Sequence, residues 1–229
     1  MTMDTEKKQS AGGLKANYLV QAWLVIFLAV GFGVSLAGVQ LGLGPVIEQN
    51  KLNETLAKVP ELVLGSALAQ KMAAENQHLD ISSRQVVVKK AATEKYYGVY
   101  EATYQGQPRG WVVKTKGQGY ADTIELLIGL SPDLSKITGL FVLDQKETPG
   151  LGNKIITDSW RKQFIDAPAD NPLVVVKTGA ARPGQIDAVT GATISSKSVT
   201  SLINMTIKDL RKPLSDSPAG TGKEGSANG

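Results

Sequence analysis

The stretch "DTIELLIGLSPDLSKITGLFVLDQ", residues 122–145, decides the fold class. Two apolar runs, Ile124–Leu130 and Ile137–Leu143, flank a Ser-Pro-Asp turn, and both have strand length rather than helix length. No helix-sized segment separates them, so consecutive antiparallel strands are expected and a doubly wound parallel sheet is disfavoured. Upstream, "KYYGVYEATYQGQPRGWVVKTKGQG" gives two extended segments around a turn at Gln105–Gly110, and "SRQVVVKKA" adds a β-branched run at Val86–Val88. Downstream, "DSWRKQFID", residues 158–166, reads as a short helix and Leu173–Val176 as another strand. Beyond Thr193, residues Val199, Leu202, Ile203, Ile207 and Leu210 keep a period near 3.6 until Pro213, which marks an amphipathic helix. The expected class is α+β: an antiparallel sheet with packed helices.

Before this domain stands "AWLVIFLAVGFGVSLAGV", Ala22 to Val39, which has no charge. At about 1.5 Å per residue, eighteen helical residues reach about 27 Å, close to the thickness of a bilayer core. An N-terminal transmembrane helix over 18–43 follows, with the lipid bilayer as its environment. Lys7, Lys8 and Lys15 precede it, while Lys51 and Lys58 after it are accompanied by Glu48 and Glu54; the balance favours a cytoplasmic N-terminus, residues 1–17. A cleaved signal peptide ending near Ser35-Leu36-Ala37 is the competing reading. Gly44 and Pro45 then suggest a break, a short helix, and a second helix beginning near Pro60. The resulting organisation is a membrane-proximal segment with the first strand at 44–95, the main domain at 96–213 and a disordered tail at 214–229.

The composition removes several chemistries. The chain has no cysteine, which excludes disulfides, thiolate metal sites and thiol nucleophiles. Its one histidine, His78, sits far in sequence from every hydroxyl candidate, so a Ser-His-acid hydrolase has little support. Twenty-five basic residues against 21 acidic ones give +4, but they are scattered, which argues against nucleic acid as a partner. The acids show no metal-loop spacing, and "GAARPGQI", residues 179–186, lacks the Lys and Ser/Thr of a P-loop. Neither a catalytic residue nor a metal site is assigned.

Three glycine-bearing stretches remain. "DAVTGATISS", residues 187–196, leads into the last helix: Gly191 and Ala192 keep the backbone approachable, and Thr193 stands at or beside the helix start. Free backbone donors there suit a phosphate, with Ser195 and Ser196 as additional hydroxyls; an ordinary Thr cap is the plain alternative. "KETPGLGNK", residues 146–154, follows an apolar strand and suits a planar ligand, with Leu151 as the apolar contact and Thr148 or backbone groups at its polar edge. "KGQGYADT", residues 116–123, places Tyr120 over a ring or over the core.

In this order the stretches resemble the exported flavin-binding domain found in the G subunit of the Rnf ion-translocating electron-transport complex and in the C subunit of the sodium-pumping NADH:quinone reductase. The family's Asp-x-x-Ser/Thr-Gly-Ala-Thr flavinylation motif stands here complete, as Asp187, Thr190, Gly191, Ala192 and Thr193 with two residues between the first pair. Its Glu-Thr-Pro-Gly-Leu-Gly loop is intact from Glu147 through Thr148, Gly150 and Leu151 to Gly152. The resemblance implies FMN joined through phosphate to Thr193 by a separate flavin transferase, with the loop beside the flavin ring. It further implies an electron-relaying subunit of a ferredoxin:NAD oxidoreductase, partnered by other membrane subunits, with the FMN domain on the outer side of the cytoplasmic membrane. The C subunit of the quinone reductase is the nearest alternative, and an extracytoplasmic scaffold or sensor without flavin is the alternative of another class.

Overall fold

A computed structural model describes residues 18–90 and 93–216; the segment 1–17 and most of the expected tail, 217–229, lie outside the described residues. The chain divides into two units, Met1–Asn50 and Lys51–Gly229. The first contributes an apolar stretch long enough to cross a membrane. Its large side chains, Trp23, Phe27 and Phe32 among them, are exposed, as suits a helix solvated by lipid.

Helix α1, Tyr18–Leu64, is longer than expected: it runs through Pro45 and Pro60 without a break. A proline deletes one backbone donor and crowds the preceding turn, but this kinks a helix without necessarily ending it. The last turns are secured by packing, because Val59, Leu62 and Val63 are buried with Tyr100, Ala102, Val112 and Leu127 on the sheet's outer face. Thr138 Oγ1 donates to the Leu62 carbonyl at 2.6 Å. The stop comes instead at Gly65, whose φ of 80° is open chiefly to glycine, and α2 follows over Ser66–Ala74.

Five strands form one antiparallel meander in chain order: β1 Asp80–Lys90, β2 Thr93–Tyr104, β3 Gln107–Gln118, β4 Thr123–Leu130 and β5 Ile137–Asp144. The α+β expectation holds. The β2–β3 turn is tighter than 105–110, because Gln105 and Gly106 both take positive φ (52° and 75°), the geometry of a two-residue hairpin. After β5, a 3₁₀ turn at Gly152–Ile156 leads to α3, Asp158–Arg161, and a second 3₁₀ turn at Lys162–Phe164. The helix expected over 158–166 is thus a mixed, shorter element. Strand β6, Val174–Val176, pairs in parallel with β7, Gln185–Asp187, a three-residue strand too short to carry a sequence pattern.

Helix α4, Thr193–Ser215, covers the inner face of the sheet, and its Val199, Leu202, Ile203, Ile207 and Leu210 join Tyr97, Val113, Ile124 and Leu126 in the main core. It passes through Pro213, so residues 214–215 are helix rather than tail. Pro213 lies in the last turn, where one lost hydrogen bond is tolerable, and Leu214 beyond it is buried.

Asp209 staples α4 to the sheet edge. Its carboxylate accepts Tyr97 Oη at 2.6 Å and Lys90 Nζ at 2.7 Å. Burial alone would raise its pKa, but the Lys90 and Tyr97 bonds outweigh burial and hold it below the ordinary carboxylate value. Because the folded-state value is depressed, the stabilisation is complete above the unfolded value, roughly pH 4, and is lost as pH falls through the folded one. Urea titrations should therefore find Asp209→Asn destabilised at pH 7, with a smaller loss of stability on acidification than the parent. Parallel acid-side curves for the two proteins would contradict this assignment.

Candidate functional site

Glu147, three residues beyond the end of β5, turns inward and draws the three glycine-bearing stretches together. Its Oε1 accepts the backbone amides of Tyr120 (2.8 Å) and Ala121 (3.2 Å), and its Oε2 accepts Ser195 Oγ at 2.6 Å. These bonds bring the β3–β4 turn, the post-β5 loop and the start of α4 around one pocket of about 420 Å³. The turn contributes Tyr120, the loop contributes Thr148, Leu151 and Gly152, and α4 with its approach contributes Gly191 through Ser195. Tyr120, Leu151 and Ile194 are exposed apolar groups around it.

Thr193 is the first residue of α4, and the N-cap position belongs to Ala192, which supplies no side-chain cap. The plain reading of Thr193 as a capping hydroxyl therefore fails. Its half-buried side chain lines the pocket, and the amides of the first helical turn have no intrahelical acceptors. Gly191 takes φ 80°, a backbone conformation open chiefly to glycine, and it lies beside the Leu151 side chain of the facing loop.

The remaining expected residues separate into wall and frame. Thr148, Leu151, Gly152, Tyr120 and Ser195 lie on the wall, and Gly150 forms the exposed tip of the loop at φ 76°. The wall excludes Glu147, Asp187, Thr190 and Ser196. Ser196 is no free hydroxyl donor, since it accepts the Val189 amide at 3.0 Å and donates to the Ala192 carbonyl at 3.0 Å, bracing the turn from behind. The hydroxyl proton of Ser195 is likewise committed to Glu147. Asp187 Oδ1 accepts the Ala180 amide at 2.9 Å, while its backbone carbonyl accepts Trp160 Nε1 at 2.8 Å and its amide donates to Gln163 Oε1 at 2.7 Å. Thr190 is exposed beside them.

Ile194 is the wall residue that sequence reading missed. Its signal was present: it falls off the apolar stripe of α4 yet is a large aliphatic side chain, and it is 57% exposed.

An open pocket of this size, with an apolar rim, a few hydroxyls and a helix N-terminus, fits a planar cofactor that bears a phosphate. The comparisons point the same way. Residues 119–208 match the FMN-binding domain family. The chain is 42% identical over 118 residues to the G subunit of the Na(+)-translocating ferredoxin:NAD(+) oxidoreductase complex of Acetobacterium woodii, covering 50% of this chain and 56% of that protein. It is 43% identical over 103 residues to the G subunit of the ion-translocating oxidoreductase complex of Methanosarcina acetivorans, covering 44% and 52%. The chain thus spans about half the length of the curated relatives it matches. Among solved structures it shares the fold of Shewanella oneidensis NqrC, with a TM-score of 0.58 at 15% identity over 75% of this chain and 100% of that one. The resemblance drawn from the Asp187–Thr193 motif and the Glu147–Gly152 loop is borne out by these matches.

Proposed function

We propose that this chain, similar to the G subunits of ion-translocating oxidoreductases and matching the FMN-binding domain, is a membrane-anchored electron carrier whose FMN is attached through phosphate to Thr193. The observation that carries the proposal is the state of Thr193: first in α4, released from capping, and on the wall of a pocket shared with Thr148 and Leu151. A flavin held only by noncovalent contacts would be lost outside the cytoplasm, whereas a tether makes occupancy independent of free FMN. The open first turn of α4 would balance the phosphodiester charge. Leu151, Tyr120 and Ile194 would flank the ring, and Thr148 would meet its polar edge. FMN would supply the electron transfer, and the chain supplies orientation and electrostatics.

In the same reading, α1 anchors the domain on the outer face of the cytoplasmic membrane. The chain then works with integral membrane subunits of a complex that moves electrons between reduced ferredoxin and NAD, coupled to Na+ or H+ movement. A separate flavin transferase, using FAD, installs the group. Intact mass with in-gel flavin fluorescence, after co-production with the transferase, tests attachment. An assembled native complex whose copy of this chain carries no flavin would select the scaffold reading instead.

Asp187 has a specific place in this account. Its side chain contributes one hydrogen bond, to Ala180, so Asp187→Ala should cost the fold only about 1 kcal/mol. We expect attachment to fall far more than stability does, because the transferase reads this carboxylate beside the turn. Comparing flavinylated fraction with thermal midpoint separates the two effects, and full flavinylation of the variant refutes the role.

A further inference from the structure

Behind the pocket lies a carboxylate that does not reach it. Glu147 is 4% exposed and absent from the lining, and its three donors, two amides and a serine hydroxyl, are all neutral. Only a thin wall intervenes. A Cβ built on the lining residue Gly152 would lie 2.8 Å from Glu147 Oε2 and 2.9 Å from Ser195 Oγ, so glycine is what lets the loop close over the carboxylate. A charge held in such surroundings is screened far less than one in water.

We propose that Glu147 is the positioning residue of this site and also the fixed negative charge that makes a flavin on Thr193 harder to reduce. This rests on the flavin reading above. The positioning follows from geometry: one side chain fixes Tyr120, Gly152 and Ser195, each of them on the wall. The electrostatic effect follows from sign, since reduction brings electrons into the pocket and a neighbouring negative charge opposes their arrival. Ser195 is part of the device, because its donated proton partly offsets that charge.

Glu147→Gln keeps the shape. The amide oxygen can accept from Tyr120 and Ala121, and the new NH2 can donate to Ser195 Oγ, so the frame survives while the charge is removed. The experiment is a redox titration of the full-length chain, co-produced with the flavin transferase and followed by flavin absorbance, with intact mass recorded on each sample. We expect the flavin carried by E147Q to have a higher midpoint potential than that of the parent. Ser195→Ala, which leaves the charge and removes one of its donors, should shift the potential the opposite way. Loosened packing alone would not give opposite signs. A flavinylated E147Q with the parent's potential overturns the inference. Should E147Q not fold, S195A decides, and an unchanged or raised potential there overturns it. A parent chain without flavin is a separate outcome, since it removes the reading on which the inference rests.

Discussion

Thr193→Ala, co-produced with the flavin transferase, should emerge folded and without covalent flavin. Attachment is expected to fall from nearly complete to undetectable, because on the proposed attachment the substitution removes the atom that would carry the phosphate. The fold should hardly notice. The cap position is Ala192, the turn is braced by Ser196 through Val189 and Ala192, and the tie to Glu147 runs through Ser195. Thr193 serves none of these. Ala is also a better helix former than Thr by several tenths of a kcal/mol, which offsets part of any lost contact. In-gel fluorescence should therefore vanish while the thermal midpoint stays within a few degrees of the parent. Residual fluorescence at the same band would mean that another hydroxyl, with the neighbouring Thr190 the first to check, accepts the flavin.

The second large effect concerns the seat of α1 on the sheet. Gly129→Ala would press its new Cβ into the Leu62 carbonyl oxygen and to 2.6 Å from Thr138 Oγ1, the atom that donates to that same carbonyl. Gly139, paired with Gly129 across β4 and β5, faces Leu62 as well, so the end of the helix rests on a patch without side chains. The carbonyl is backbone, and the Thr138 hydroxyl is held in place by its hydrogen bond to it. The helix must lift, or the strand must shift, with loss of packing around Val59, Leu62 and Val63. Overpacking of this kind costs about 3 kcal/mol. In a domain of this size that lowers the thermal midpoint by about 10 °C. Denaturation of the chain in detergent checks it, and an unchanged midpoint would show that α1 is not seated as described.

These two sites differ in how far the sequence disclosed them. The meander was legible because Ile124–Leu130 and Ile137–Leu143 are short apolar runs of strand length joined by a proline turn, and local signals of that kind survive folding. The helix boundaries were not. Pro45 and Pro60 look like punctuation, yet α1 continues because its last turns gain burial against the sheet, a long-range effect with no local trace. Gly129 and Gly139 likewise look like ordinary weak points in strands until Leu62 is placed over them. At the site, the motif and the loop point to residues that gather around one pocket, but not to which of them form its wall and which its frame. Ser195 and Ser196 look equivalent in sequence; one step along a helix is about 100°, and it points the first toward Glu147 and the second back into the turn. Glu147 adjoins Thr148 and so reads as bordering the ligand, whereas its bonds to Tyr120, Ala121 and Ser195 hold it behind the wall.

The central claim concerns one bond, between a phosphate of FMN and the oxygen of Thr193. Tandem mass spectrometry of the peptide spanning Asp187 to Lys197, taken from native membranes, tests it most directly. The account predicts a flavin phosphoester localised to Thr193, and the same peptide recovered with unmodified Thr193 from the assembled complex would contradict it.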